Sequence, residues 1–156
     1  MAVRDPAVRR GEAVDSQIAL IDTMNVLVAD LMTIDPVVVA VDASIEEAAR
    51  LLHENAITGL PVIDAFGGLV GVISQTDIVG VLDSPVGRLI RTRPSGVRVG
   101  ELMSSPAITA PMSGSLRDAA RLMVDSHVHR LVATDDAGRP VGVLSAIDLV
   151  TLLLET

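Results

Sequence analysis

The chain has 156 residues, 49% hydrophobic and 21% charged, with a net charge of −8, which suits one compact domain or two half-domains sharing a core. The acidic balance argues against general nucleic-acid binding, which draws its affinity from basic residues, and no apolar run approaches the ~18 residues that span a bilayer. The start, MAVRDPAVRRGEAVDSQ, lacks the apolar core of a secretory signal, and with no cysteine the chain reads as cytoplasmic.

Residues 1–13 are polar, with Arg4, Arg9 and Arg10, and are expected to be disordered. The stretch 14–27 has a loosely helical spacing of apolar positions. Val28 to Met32 reads as a helical turn stopped by Pro36, and the β-branched run Val37 to Val41 as a buried strand. Ser44 with Glu47 forms a capping box signature before a helix through Glu54. Leu60 to Ile63 and Leu69 to Ile73 are strands, joined by the hairpin turn Asp64-Ala65-Phe66-Gly67-Gly68. Thr76-Asp77 opens a helix to about Leu82. Residues 83–98, with two Pro, two Gly and four Arg, read as a linker.

The order then recurs. Pro106 to Pro111 reads as a strand, and Ser115 with Asp118 caps a helix to Asp125. Leu131 to Thr134 and Val141 to Leu144 form a hairpin, and a last helix starts near Ile147. The recurrence has a fixed period of 71 residues: GVISQTD from Gly71 to Asp77 returns as GVLSAID from Gly142 to Asp148, and Ala48-Ala49-Arg50-Leu51 as Ala119-Ala120-Arg121-Leu122. A fixed period names the folding unit. Units of about 50 residues struggle to bury enough apolar surface alone, so the two are expected to pack on each other. Like halves face to face leave two equivalent clefts, which points to binding more than to catalysis.

Absent residue types narrow the chemistry. All 12 basic residues are Arg, which removes a Walker-type phosphate loop and Schiff-base catalysis. Without cysteine there are no thiol nucleophiles or thiolate metal sites. Phe66 is the only aromatic residue, so a bound base must lie between aliphatic side chains rather than on an aromatic ring. His127-x-His129 is a poor metal motif, because zinc wants three or four ligands. His129 with Asp148 could form a base and its orienter, but no nucleophile accompanies them. The expectation is a protein that is not an enzyme.

With β-α-β-β-α written twice and Gly-h-h-Ser-x-x-Asp (h, apolar) after each hairpin, the chain resembles a tandem pair of CBS domains (cystathionine-β-synthase-type domains, a Bateman module). LM-(x)-PVVV, ITGLPVID, GVISQTDIV and the VHRLVATDD segment from Val128 carry the resemblance, over roughly residues 28–150. It implies an α+β fold of two repeats packed through their sheets about a pseudo-two-fold axis. The expected division is an N-terminal extension (1–27), a first repeat (28–82), a linker (83–98) and a second repeat (99–156). It also implies a homodimer, an adenine nucleotide or related adenosyl compound as regulatory ligand with no cofactor required, and an unknown regulated protein as partner.

The resemblance assigns ribose binding to Asp77 and Asp148; an ionised carboxylate is an acceptor and a vicinal diol offers two donors. Ser74 and Thr76, at a helix N-terminus, suit phosphate oxygens. Ser145 keeps this role in the second unit, but Ile147 stands where Thr76 stands, so the second cleft is expected to be weaker, differently selective or empty. His129 and Arg130 are the cationic candidates beside phosphates, where the first unit has Thr58 and Gly59. Gly59, Leu60 and Pro61, with Val128, Leu131 and Val132, are the expected walls around the base, and Ile34, Val37 and Ala107 its apolar slots. Against each stands a bland reading: helix caps for the Asp, Ser and Thr residues, a solvated strand edge for His129 and Arg130, and core packing for the apolar positions. A ligand-free dimerisation module is the alternative for the whole chain. The basic stretch of Arg88, Arg91, Arg93 and Arg98 reads as a solvated linker.

Overall fold

Each half is organised by a β-hairpin whose turn is set by an aspartate. The computed structural model describes residues 25–92 and 96–155, with Ser16 and Ala19; the expectations for residues 1–13, for most of 14–27 and for Arg93 lie outside the described residues. In chain order the elements are α1 (Val28–Leu31), β1 (Thr33–Ile34), β2 (Val39–Ala40), α2 (Ile45–Glu54), β3 (Gly59–Ile63), β4 (Leu69–Ser74), α3 (Gln75–Asp83), α4 (Pro85–Arg91), α5 (Val99–Leu102), β5 (Thr109–Pro111), α6 (Leu116–Ser126), β6 (Arg130–Thr134), β7 (Pro140–Ser145) and α7 (Ala146–Glu155). Between β3 and β4, Asp64 Oδ1 accepts from the N–H groups of Phe66 and Gly68, both at 2.9 Å, and Gly67 supplies the positive φ of 79°. Between β6 and β7, Asp135 Oδ1 accepts from Ala137 (3.0 Å) and Arg139 (2.9 Å), and Gly138 has φ 76°. A short side-chain acceptor and a glycine free to enter the left-handed region make such a turn cheap.

Both hairpins are antiparallel, and each gains a parallel strand from its own half, β2 on β3 and β5 on β6. The helix preceding each hairpin starts at a serine. Ser44 Oγ accepts from Glu47 N–H at 3.1 Å, and Ser115 Oγ from Asp118 N–H at 3.1 Å. Ile45, Ala48 and Leu52 are buried on α2, and Leu116, Ala119 and Met123 on α6, the i, i+3, i+7 spacing of one helical face.

The halves are joined by reciprocal exchange. β1, from the first half, pairs antiparallel with β7 of the second, Thr33 opposite Val143 and Ile34 opposite Gly142. Ser104 makes the equivalent bridge to Val72. Val28 N–H donates to Gly114 O and Val99 N–H to Ala43 O, each at 2.9 Å. These pairs interconvert on adding or subtracting 71, so the pseudo-two-fold axis is visible in the hydrogen bonds. The cores follow suit. Val28, with Leu31 and Met32 against it, joins Ala110, Leu116, Ala119, Met123, Leu131, Ala133 and Leu144 of the second half. Val99, with Leu102 and Met103, joins Val39, Ala48, Leu52, Leu60, Val62 and Ile73 of the first. Neither half completes its core without the other's opening turn.

Several local expectations change. The strand expected over Val37–Val41 is confined to β2, and that over Pro106–Pro111 to β5, because the preceding residues turn into cleft walls. Glu47 does not complete a capping box: its carboxylate pairs with Arg50 at 2.6 Å on the helix surface. The stretch read as a linker contains α4, which starts at Pro85, where a missing N–H costs nothing, and Ser84 Oγ accepts from Gly87 N–H at 2.8 Å. The helix after each hairpin begins just before the expected residue, at Gln75 and Ala146.

Candidate functional site

Where a hairpin of one half meets the strand entrances of the other, two clefts open, of about 370 Å³ and 330 Å³. Most of their wall positions correspond under the 71-residue repeat, and Thr58 and Arg130 line both. In the first, the end of β4 and the start of α3 supply Ser74, Gln75, Thr76 and Asp77; the second half supplies Ala107, Ile108, Val128, His129 and Arg130. In the second, Ser145, Ile147 and Asp148 face Asp35, Pro36, Val37, Thr58 and Gly59.

The aspartates are held by their own helix starts. Asp77 Oδ2 accepts from Ser74 N–H at 2.8 Å while Ser74 Oγ accepts from Asp77 N–H at 3.2 Å. Asp148 and Ser145 repeat this at 2.9 and 3.3 Å. The arrangement fixes each half-buried carboxylate at the cleft wall. It leaves Asp77 Oδ1 without a hydrogen bond among the described residues, on a residue that lines the cleft. Ser74 Oγ and Thr76 Oγ1 lie 2.7 Å apart at the start of α3, where Gln75 N–H donates to Thr58 O at 2.9 Å.

Arg130 stands between the clefts and lines both. Its Nη1 donates to Thr58 O at 3.2 Å, and its Nη2 to Thr58 Oγ1. Burial lowers the guanidinium pKa, and the charge of Asp77 opposes that shift. Asp77 belongs to the first cleft. Its repeat counterpart is Gly59, and a Cβ there would lie 2.1 Å from Arg130 Nη1 and 2.7 Å from its Cζ. Glycine at this position lets the Arg130 side chain lie close against the β3 backbone.

Of the residues singled out in the sequence, the first cleft gathers Ser74, Thr76, Asp77, Ala107, Val128, His129 and Arg130. The second gathers Val37, Gly59, Ser145 and Asp148, and Thr58 borders both. Leu60, Pro61, Leu131 and Val132 do not join them: all four are fully buried, because β3 and β6 are covered on both faces. Ile34 is 66% exposed and lines neither cleft. Sequence reading passed over Val72, Gln75, Ser104 and Ile108 in the first cleft, and Asp35 and Pro36 in the second. Ile108 and Pro36 were within reach, as the repeat counterparts of Val37 and Ala107. Asp35 was hidden because its counterpart is Pro106. His129 and Asp148 line different clefts, so the base-and-orienter pairing is not formed. Among the described residues no group of three or more His, Asp or Glu is placed to hold a metal ion, and no helix is long and apolar enough to cross a membrane.

Fold and clefts together define a tandem-repeat α+β module with two related ligand-sized sites at its internal axis. The chain belongs to the CBS-domain family, whose family model matches residues 28–84 and again 99–155. An uncharacterized protein of Methanocaldococcus jannaschii is 29% identical over 154 residues, covering 82% of this chain and 91% of that one. The solved structure of CBSX2 in complex with AMP superposes with a TM-score of 0.71 at 34% identity, covering 83% of this chain and 96% of that one. In sequence, the chain spans 58% of the length of CBSX2 from Arabidopsis thaliana. The CBS domain pair of protein MJ0100, in complex with 5′-methylthioadenosine and S-adenosyl-L-methionine, gives a TM-score of 0.70 at 28% identity, covering 81% and 98%.

Proposed function

We propose that this chain is a regulatory CBS pair that binds an adenine nucleotide or related adenosyl compound between its repeats and reports it to a partner protein. The observation that carries the reading is the first cleft. It sets an unpaired carboxylate oxygen, two hydroxyls at a helix start, an imidazole and a guanidinium around aliphatic walls. A ribose diol suits Asp77 Oδ1, a phosphate suits Ser74, Thr76 and Arg130, and a flat base suits Ala107, Ile108 and Val128. The AMP and adenosyl complexes of two structurally similar proteins support the ligand class.

A ligand touching both repeats favours one angle between them, and a partner that prefers that angle then binds with changed affinity. The shift is limited by the ligand's differential affinity for the two shapes. This is energy-state sensing without turnover, and no cofactor is required. We place the protein in the cytoplasm as a homodimer. Exposed apolar residues on α3 and α7, Val79 at 58% and Val150 at 49%, support the dimer: they are repeat counterparts and need a covering surface.

Isothermal titration calorimetry with AMP, ADP, ATP and S-adenosylmethionine tests the reading; the chain has no Trp or Tyr to report by fluorescence. Saturable heat from any of the four supports it. Silence from all four, in folded protein free of co-purified nucleotide, defeats it.

A second reading has its own observation. Asp77 and Asp148 already cap α3 and α7, so both have a structural role with no ligand. On that reading the chain is a ligand-free dimerisation module, and Asp77→Ala lowers stability with no binding to lose.

A further inference from the structure

The two clefts share a backbone, but at four corresponding positions their chemistry diverges. Thr76 in the first is Ile147 in the second, 66% exposed. Pro106 is Asp35, His129 is Thr58, and Arg130 is Gly59. The change from Pro106 to Asp35 adds a carboxylate. Of the other three changes, two remove a group that favours a phosphate, a hydroxyl at the helix start and an imidazole, and one leaves the second cleft sharing Arg130 instead of holding a guanidinium of its own. Two elements survive unchanged, the Ser145–Asp148 pair that offers a carboxylate to a diol, and an aliphatic wall at Val37.

Gly59 packs against the Arg130 side chain, whose flexible end is all that a Cβ there would meet. Arg130 borders both clefts, and both its hydrogen bonds go to Thr58, which also lines both. Asp35 and Asp148 of the second cleft hold no ion pair among the described residues.

We propose that the second cleft is a site for an adenosine derivative whose 5′ group carries no phosphate, being uncharged or cationic, while phosphorylated ligands go to the first. A diol-binding carboxylate remains to hold the ribose. Ile147 then faces the 5′ substituent, and an apolar side chain there suits a thioether or methyl group where it would strand a phosphate oxygen unpaired. Asp35 and Asp148 together repel an anion and attract a cation. The inference rests on the adenosine-binding reading above and divides its ligands between the two sites.

The experiment is calorimetry in two stages on the full chain. Wild-type protein is titrated with AMP, and the AMP-saturated protein is then titrated with 5′-methylthioadenosine. One equivalent of AMP is expected, followed by one of 5′-methylthioadenosine. Asp77→Ala is expected to weaken the first event and Asp148→Ala the second, each about 10- to 100-fold. In the double variant Asp35→Asn, Ile147→Thr, a second equivalent of AMP is expected to appear. Asn is used at position 35 because its φ of 51° excludes proline. Two equivalents of AMP on wild-type protein would overturn the inference and leave the adenosine reading standing, as would an AMP-saturated protein that takes no 5′-methylthioadenosine. Binding of neither compound would defeat both. Circular dichroism of each variant confirms that lost heat is not lost fold.

Discussion

The interior and the clefts obey the same repeat but tolerate change differently. In the cores, corresponding residues stay apolar and differ only in size: Leu60 with Leu131, Ile73 with Leu144, Leu52 with Met123, Val39 with Ala110, Val62 with Ala133. In the clefts, corresponding residues change chemical kind, as Thr76 with Ile147 and Gly59 with Arg130 do. Core positions answer only to volume and hydrophobicity, so size-adjusting swaps survive in them. On the proposed function cleft positions answer to a ligand, and if the two clefts take different ligands, as proposed, nothing holds them alike. The fold is therefore read from what the halves share, and the function from where they part.

The largest effects should come from breaking the cores. Leu60 and Leu131 are 0% and 1% exposed, and truncating either to alanine should cost about 2–5 kcal/mol, measured by urea denaturation. Equal losses would support equivalent cores; a loss confined to one variant would break the equivalence.

The exchange between halves is tested next. Gly142 lies under the crossing of β1, where a Cβ would sit 2.8 Å from Thr33 O and 2.5 Å from Met32 Sδ. The sulfur can swing away, but the backbone oxygen cannot without moving β1. Gly142→Ala should cost about 1–3 kcal/mol by the same denaturation. Gly71→Ala should match it, because a Cβ there meets Ser104 O at 2.6 Å. Wild-type stability in both would mean that the reciprocal bridges do little to hold the halves together.

The helix starts should then part company. Asp77→Ala and Asp148→Ala each remove one cap and should cost about 1 kcal/mol of stability. Only Asp77→Ala should weaken AMP, by about 1.5–3 kcal/mol. Equal loss of AMP affinity in both would make the clefts alike.

The smallest effect lies in the hairpin turns. Asp135 is held below the usual carboxylate range, first by the Arg139 N–H and then by the Arg139 side chain, which pairs with it at 2.9 Å. The first half has Gly68 at the position of Arg139. A lowered native pKa means that this stabilisation is present above the ordinary carboxylate value near 4 and is lost as pH falls through the native value. Arg139→Ala keeps the N–H, so the Asp135 pKa should rise only part of the way, as followed by carboxyl-carbon NMR titration. A full return would assign the whole shift to the side chain.

Much of this architecture was legible from the period of 71, because most core residues have an apolar counterpart in the other half's core. What escaped depends on the other half. β1 is two residues long and exists through its pairing with β7, so Thr33-Ile34 carries no local strand signal. α4 was obscured because Pro85 and Gly87 read as breakers, although proline suits the first position of a helix. Leu60 and Leu131 were expected at the cleft walls because an apolar run in a strand covered on both faces does not reveal which residues turn toward a cavity. Asp77, Thr76, His129 and Arg130 were legible as polar residues in a repeated signature. That they meet in one cleft, with His129 and Arg130 arriving from the opposite half, was visible only in the fold.

The account stands most directly on AMP binding through Asp77. Equilibrium dialysis of labelled AMP against wild-type protein and Asp77→Ala, both checked as folded, decides it. Saturable binding weakened about 10- to 150-fold by the substitution is the predicted result. Affinity for AMP unchanged by Asp77→Ala would contradict it.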